Sequence, residues 1–88
     1  MKVYILLITR YESNFTNYTY IDSVHSSEED TWRTIEERFY PFFEKVRKSG
    51  YDVRRIEFRG KELMFEYEKF FEDMYGSIHY EIQEWPVT

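Results

Sequence analysis

A chain of 88 residues is long enough for one small domain, and the absence of cysteine excludes disulfides, thiolate metal sites and cysteine nucleophiles. The net charge of −5 hides a block pattern, because residues 22–44 and 62–88 are acidic whereas residues 45–61 hold seven bases against two acids. Two Trp, nine Tyr and eight Phe are more rings than a core of this size can bury, so some of them must lie at the surface.

The chain opens with a strongly apolar strand, predicted over Lys2–Glu12. Two explanations fit the apolar character of both its faces: the strand is covered on both sides, or a partner covers one of them. The two faces are formed by Val3, Ile5 and Leu7 and by Tyr4, Leu6 and Ile8. A polar loop at Ser13–Asn17 and a second strand at Tyr18–Val24 complete a predicted hairpin.

The longest element is an amphipathic helix, predicted between Ser26 and Gly50. Its apolar residues recur at steps of three and four, which places them on one face: Trp32, Ile35, Phe39, Phe42 and Val46. Ser26 and Glu29 have the spacing of a capping box, and Gly50 can take the left-handed C′ position. Pro41 removes a hydrogen bond inside the helix and crowds the preceding turn, which predicts a kink.

The rest of the chain is predicted to add strands to the same sheet. Tyr51–Arg59 is a strand, followed by a two-residue turn at Gly60-Lys61. The next stretch shows both strand and helix periodicity, so we expect a short strand over Glu62–Tyr67 and a short helix over Glu68–Tyr75. The last strand is predicted over Ser77–Trp85.

These elements predict a single α+β domain over residues 1–88. It consists of one mostly antiparallel sheet packed on one long kinked helix, with a short second helix. The helix is expected to bury Trp32, Ile35, Phe39 and Phe42 against five strand residues: Ile5, Leu7, Ile56, Phe58 and Ile82.

No pattern in the sequence points to catalysis, a cofactor or a metal. His25 and His79 lack the short ligand spacing of a metal site, and the paired carboxylates are typical of solvated helix faces. No glycine-rich phosphate loop and no Gly-x-Ser-x-Gly motif is present. No run approaches the ~20 apolar residues of a membrane span. We therefore expect a cytoplasmic protein that is not an enzyme and has no cofactor, bound metal or membrane partner.

The charge blocks suggest two hypotheses about nucleic acids, besides simple neutralisation across the fold. The basic block can bind phosphate through Arg54, Arg55 and Arg59, although the acidic flanks oppose direct binding of nucleic acid. Alternatively, acidic residues of the C-terminal block mimic DNA and occupy the nucleic-acid site of a DNA-binding protein. The carboxylates assigned to that role are Glu62, Glu66, Glu68, Glu72, Asp73, Glu81 and Glu84.

The aromatic content favours a third hypothesis, a surface that binds another protein. The predicted anchors lie on the strands and loop least needed to cover the helix: Tyr18, Tyr20, Tyr75 and Trp85. The charged residues named above are expected to steer the partner and set the rate of association. A homodimer is a further candidate assembly.

Three stretches resemble small, acidic, uncharacterised proteins of bacteriophages and bacteria. They are the opening Met1–Thr9, the step into the helix at Val24–Glu29, and the closing Tyr80–Trp85. The resemblance brings no catalytic residue with it. It implies a compact module of the host-takeover type, which a phage makes early to bind and inhibit, or redirect, a host protein in the host cytoplasm.

Overall fold

The structure is a computed structural model that describes residues 1–12 and 15–87, without the side chains of residues 15 and 16. The chain forms a five-stranded antiparallel sheet with one long helix packed on one face, which confirms the predicted α+β class. The elements are β1 (Lys2–Glu12), β2 (Phe15–His25), α1 (Glu28–Lys48), β3 (Asp52–Arg59), β4 (Glu62–Lys69), a 3₁₀ turn (Phe70–Glu72) and β5 (Met74–Pro86). We call the face that packs on α1 the helix side, and the other the open face.

The strands follow the order β2-β1-β5-β4-β3 across the sheet. The 13-residue strand β5 lies at the centre because it pairs with β1 on one side and with β4 on the other. The β3–β4 hairpin turns at Gly60-Lys61, as predicted, with Gly60 in the left-handed region at a φ of 60°. This order leaves β2 and β3 as the two edges of the sheet.

The hydrophobic core lies between α1 and the helix side of the sheet. Phe39 is buried there, with its ring centroid 5.4 Å from that of Phe65 in edge-to-face geometry. Ile35 is buried as predicted, whereas Trp32 and Phe42 are only half-buried. The buried strand residues are Leu6, Ile8, Leu63, Phe65, Tyr67, Ile78, Tyr80 and Ile82.

The prediction that Ile5 and Leu7 pack against the helix is wrong. Leu6 pairs with Ile82 and both are buried in the core, so the even-numbered residues of β1 point to the helix side. Successive residues of a strand alternate between its faces, which puts Ile5 and Leu7 on the open face. Of the predicted strand partners, Ile82 is buried in the core as expected.

Ile56 and Phe58 lie on the helix side of β3, opposite Phe65 and Leu63 of β4. They face the helix as predicted, with the ring centroid of Phe58 6.1 Å from that of Trp32, but at 43% and 67% exposed they are covered only in part. The reason is their place in the sheet: β3 is an edge strand, and α1 packs over the central strands rather than over this edge.

The helix begins one residue later than predicted. Ser27, not Ser26, is the N-cap, and its hydroxyl accepts a 3.1 Å hydrogen bond from the backbone N–H of Asp30. Acidic residues fill the first turn and basic residues the last, as the helix dipole favours.

The predicted glycine terminates the helix, two residues after Lys48. Gly50 has a φ of 85° and donates its backbone N–H to the carbonyl of Arg47, while the N–H of Tyr51 donates to the carbonyl of Val46. These two bonds form a Schellman motif with Gly50 at C′. The helix continues through Pro41 as one element, and the kink predicted there stays a prediction.

The predicted short helix over Glu68–Tyr75 is wrong. β4 continues to Lys69, one 3₁₀ turn follows at Phe70–Glu72, and β5 begins at Met74. Asp73 closes the turn in the left-handed region with a φ of 52°. The helical spacing of apolar residues in this stretch does not come from a helix. It arises because the end of β4, the 3₁₀ turn and the start of β5 follow one another there.

The β1–β2 hairpin is longer than predicted. β2 spans Phe15–His25 rather than Tyr18–Val24, and Glu12 pairs with Phe15. The polar loop predicted at Ser13–Asn17 is therefore too long, and its first two residues lie outside the described part of the chain.

Candidate functional site

The open face of the sheet carries a group of apolar side chains over which no other element of the described chain packs. The helix covers only the opposite face, where the core lies. The strands β1, β2 and β5 contribute these side chains near one end of the sheet. We call them the open-face patch: Val3, Ile5, Leu7, Ile21, Val24 and Trp85.

The strand register makes the open-face patch contiguous. Directly opposed residues form three pairs: Val3 with Trp85, Ile5 with Val24, and Leu7 with Ile21. Directly opposed side chains on one face of a sheet lie in contact. The three residues at the margin are the most open, with Ile21 62%, Val24 59% and Trp85 51% exposed.

One end of the patch is held by a side-chain hydrogen bond. The indole N–H of Trp85 donates to Oε1 of Gln83 at 3.1 Å, and both residues lie on the open face of β5. This bond satisfies the polar atom of the indole and fixes the ring beside Val3. A half-exposed, oriented Trp is the residue type that most often anchors a protein interface.

Water-facing sides of antiparallel sheets are ordinarily polar. The β4 part of the open face follows this rule with three glutamates: Glu62, Glu66 and Glu68. The β1–β2 part departs from it, because apolar side chains occupy both strands. A contiguous exposed apolar patch beside polar residues is typical of a surface that binds another protein.

The charged part of the open face consists of ion pairs between β3 and β4. Arg54 lies 3.3 Å from a carboxylate oxygen of Glu68, and Arg55 lies against Glu57 and 4.0 Å from Glu66. Hydrogen bonding to Glu57 raises the pKa of Arg55 above its ordinary value. The basic and acidic blocks thus lie side by side and largely neutralise one another here.

Tyr75 belongs to the same charged group. Its hydroxyl donates a 3.0 Å hydrogen bond to Glu66, and burial together with that carboxylate raises its pKa. His79, also on the open face, has Nε2 3.4 Å from Oε1 of Glu62. The sequence-predicted residues that the fold brings together are therefore Arg54, Arg55, Glu68 and Tyr75, while Trp85 lies on the apolar part of the face.

The other sequence-predicted residues lie elsewhere. Tyr18 and Tyr20 lie on the helix side of the edge strand β2, with stacked rings 5.8 Å apart. Burial and the neighbouring Asp22 raise the pKa of Tyr20. Glu72 and Asp73 lie in or beside the turn between β4 and β5. The predicted residues therefore do not form one surface.

A separate cleft of about 240 Å³ opens at the end of α1, beside Phe42, Tyr51 and Tyr67. Its Arg10 has a guanidinium 5.0 Å from the ring centroid of Phe42 and 3.2 Å from a carboxylate oxygen of Glu12. The charge of Arg10 is thus already matched within the chain.

Within the described ranges, no group of three or more His, Asp or Glu side chains is placed to hold a metal ion. No helix in the part of the chain that the structure describes is long and apolar enough to cross a membrane.

No family model, no curated protein and no solved structure matches the chain.

Proposed function

We propose that the protein is a small protein-binding module, and that the open-face patch is the surface that docks on its partner. One observation carries this proposal: a contiguous apolar patch lies on the side of the sheet opposite the helix, with Ile21, Val24 and Trp85 each more than half exposed. Covering such side chains with apolar groups of a partner removes them from water, which is the main favourable term in protein association.

The ion pairs support a protein partner over nucleic acid. Direct phosphate binding needs cations that are free to replace counterions, and Arg54 and Arg55 already contact carboxylates. A DNA mimic needs carboxylates free of cations, and Glu66 and Glu68 each lie near an arginine. The DNA mimic therefore stays the alternative function, below the protein-binding module.

The partner we propose is a host protein, which the module inhibits or redirects. The likeness of three stretches to small phage and bacterial proteins of the host-takeover type supports this assignment. The sequence shows no catalytic motif that would give the module an activity of its own. The charged part of the open face would then steer the approach of the partner, while the open-face patch holds the complex.

The test begins with affinity capture from a bacterial lysate and continues with each captured protein in purified form. Calorimetry should show that Trp85→Ala weakens binding roughly 30-fold or more, the loss of about 2 kcal/mol typical of an aromatic hot spot. Ile21→Glu should abolish binding, because it buries a charge in the apolar contact.

Phe71→Glu is the matched control, since Phe71 is a fully exposed ring in the turn between β4 and β5. It should bind like the parent. A partner that binds Ile21→Glu as tightly as the parent would contradict the proposal. A partner that is displaced from DNA by the parent, and no longer when Glu68, Glu72 and Asp73 are reversed in charge, would establish the DNA mimic instead.

A further inference from the structure

The side chains of the edge strand β3 are largely exposed to solvent, although several of them are apolar. Seven of its eight residues are exposed, and only Glu57 is half-buried. Between β3 and α1 runs an apolar groove of about 270 Å³. Its lining includes Trp32, Phe39, Tyr40, Phe43, Ile56 and Phe58. The helix side of the sheet is thus incompletely covered at this edge.

An edge strand presents a row of backbone N–H and C=O groups on its outer side, which can pair with another strand. Proteins commonly prevent such pairing with charged side chains. On β3 the open-face charges alternate in sign along the strand, as Arg55, Glu57 and Arg59. Alternating signs oppose some registers of a second strand and favour others, so they select a partner rather than exclude all partners.

We propose that two copies of the chain form a symmetric dimer by antiparallel pairing of β3 with β3. The twofold axis passes between Ile56 of one copy and Ile56 of the other, and this register is called the axis through Ile56. In this register Arg55 of each copy lies opposite Glu57 of the other, so the Arg55–Glu57 pair that each chain already forms on the open face joins its counterpart in a network of four charges. Ile56 lies opposite Ile56 on the helix side. Directly opposed residues must share a face of the sheet. The register is therefore centred on a residue that lies opposite its own copy, and not on the bond between two neighbouring residues.

Neighbouring registers are less favourable. An axis through Arg55 places Arg55 opposite itself, and an axis through Glu57 places Glu57 opposite itself, so both oppose like charges. An axis through Phe58 matches Glu57 with Arg59, but it runs past the end of β3 into the turn at Gly60-Lys61. Only the axis through Ile56 combines opposite charges with regular pairing inside the strand, over residues 55–57; on either side of this segment the bulge between Val53 and Arg55 lies opposite Phe58 of the other copy.

Pairing in this register joins the two sheets into one. The grooves of the two copies then adjoin, and the exposed side chains of Ile56 and Phe58 gain apolar neighbours from the second copy. Dimerisation thus explains why α1 leaves apolar side chains of β3 exposed in the single chain. The dimer contact lies at the β3 edge of the sheet, whereas the open-face patch lies on β1, β2 and β5. The dimer therefore goes beyond the proposed function, and either proposal can fail while the other holds.

The first experiment exchanges the charges and measures mass by analytical ultracentrifugation. The parent should sediment at twice the mass of the 11.1 kDa chain. In a dimer of Arg55→Glu, carboxylates oppose carboxylates, and in a dimer of Glu57→Arg, guanidinium groups oppose guanidinium groups. Each variant alone should therefore dimerise at least tenfold more weakly than the parent. An equimolar mixture of the two should form heterodimers, because every carboxylate of one variant then lies opposite a guanidinium of the other.

The double variant Arg55→Glu with Glu57→Arg should regain the parent's dimerisation, with circular dichroism confirming that every variant is folded. A parent that stays monomeric at all concentrations tested overturns the proposal. So does a mixture of the single variants that dimerises no better than either alone.

The second experiment tests the position of the axis with single cysteines, which the chain otherwise lacks. Across an antiparallel pair the Cα atoms are about 4.5–5.5 Å apart, within the range that a disulfide spans. Ile56→Cys should therefore form an interchain disulfide on mild oxidation. Phe58→Cys places its thiols about 14 Å apart along the strands, at ~3.4 Å per residue, and should stay reduced. Cross-linking of Phe58→Cys in place of Ile56→Cys overturns the register.

Discussion

At the level of single residues, the ring of Tyr67 packs directly over Gly76. The two residues are directly opposed on β4 and β5, and a Cβ added at Gly76 would overlap the ring of Tyr67. The ring is itself held by Tyr51, in edge-to-face contact at 5.1 Å, and by Phe42 at 5.7 Å. Gly76 directly follows the stretch predicted as a short helix, and in the structure it is a strand glycine shielded by an aromatic neighbour.

Gly76→Ala should therefore destabilise the protein by about 1–3 kcal/mol, the typical penalty of overpacking a well-filled site. Urea unfolding followed by circular dichroism measures this difference. The control is the same substitution in a Tyr67→Ala background, where the overlapping ring is absent and the added methyl should cost little. Equal penalties in the two backgrounds would show that the ring does not limit the site.

Among the elements, the parts predicted correctly from the sequence depend on local interactions. The helix face at Ile35 and Phe39, the C′ position of Gly50 and the turn at Gly60 each follow from residues a few positions apart. Backbone hydrogen bonds close the end of α1, and Gly50 and Gly60 adopt their positive φ values without the steric cost of a side chain.

The parts that could not be predicted depend on pairing between distant residues. Both faces of β1 are apolar, so only its register with β5 decides that Leu6 and not Ile5 meets the helix. The candidate site shows the same dependence. Strict alternation would put Ile21 and Val24 on opposite faces, but the register shift between Leu6 and Leu7 brings them to the same one.

The N-terminus of α1 offers a direct comparison between neighbouring serines. Ser27→Ala should destabilise the protein by about 1 kcal/mol, because it removes the side-chain acceptor for the backbone N–H of Asp30. Ser26→Ala, the matched control, should leave the free energy of unfolding within about 0.5 kcal/mol of the parent. Thermal or urea unfolding of both variants would decide between the caps; a larger loss at Ser26 would contradict the observed helix start.

For the molecule as a whole, tyrosines link stability to alkaline pH. Burial raises the pKa of Tyr20, Tyr67, Tyr75 and Tyr80, and the rise is largest at Tyr80 in the centre of the core. These residues belong to β2, β4 and β5, so the effect spans the sheet. Ionised phenols at Tyr67 and Tyr80 would place negative charge inside the fold, where burial disfavours it.

The direction of the pH effect follows from which state holds the proton. Unfolded tyrosines ionise near a pKa of about 10, whereas the folded protein keeps these phenols protonated to higher pH. The unfolded state therefore binds fewer protons above about pH 10, and the free energy of unfolding should fall as the pH rises through the folded pKa values. Urea unfolding at a series of pH values should show full stability below pH ~9 and a steep loss above pH ~10. Tyr80→Phe should make that loss shallower, while Tyr40→Phe, at an exposed helix position, is the control. A stability that stays constant or rises above pH ~10 would contradict the assignment of buried phenols to the core.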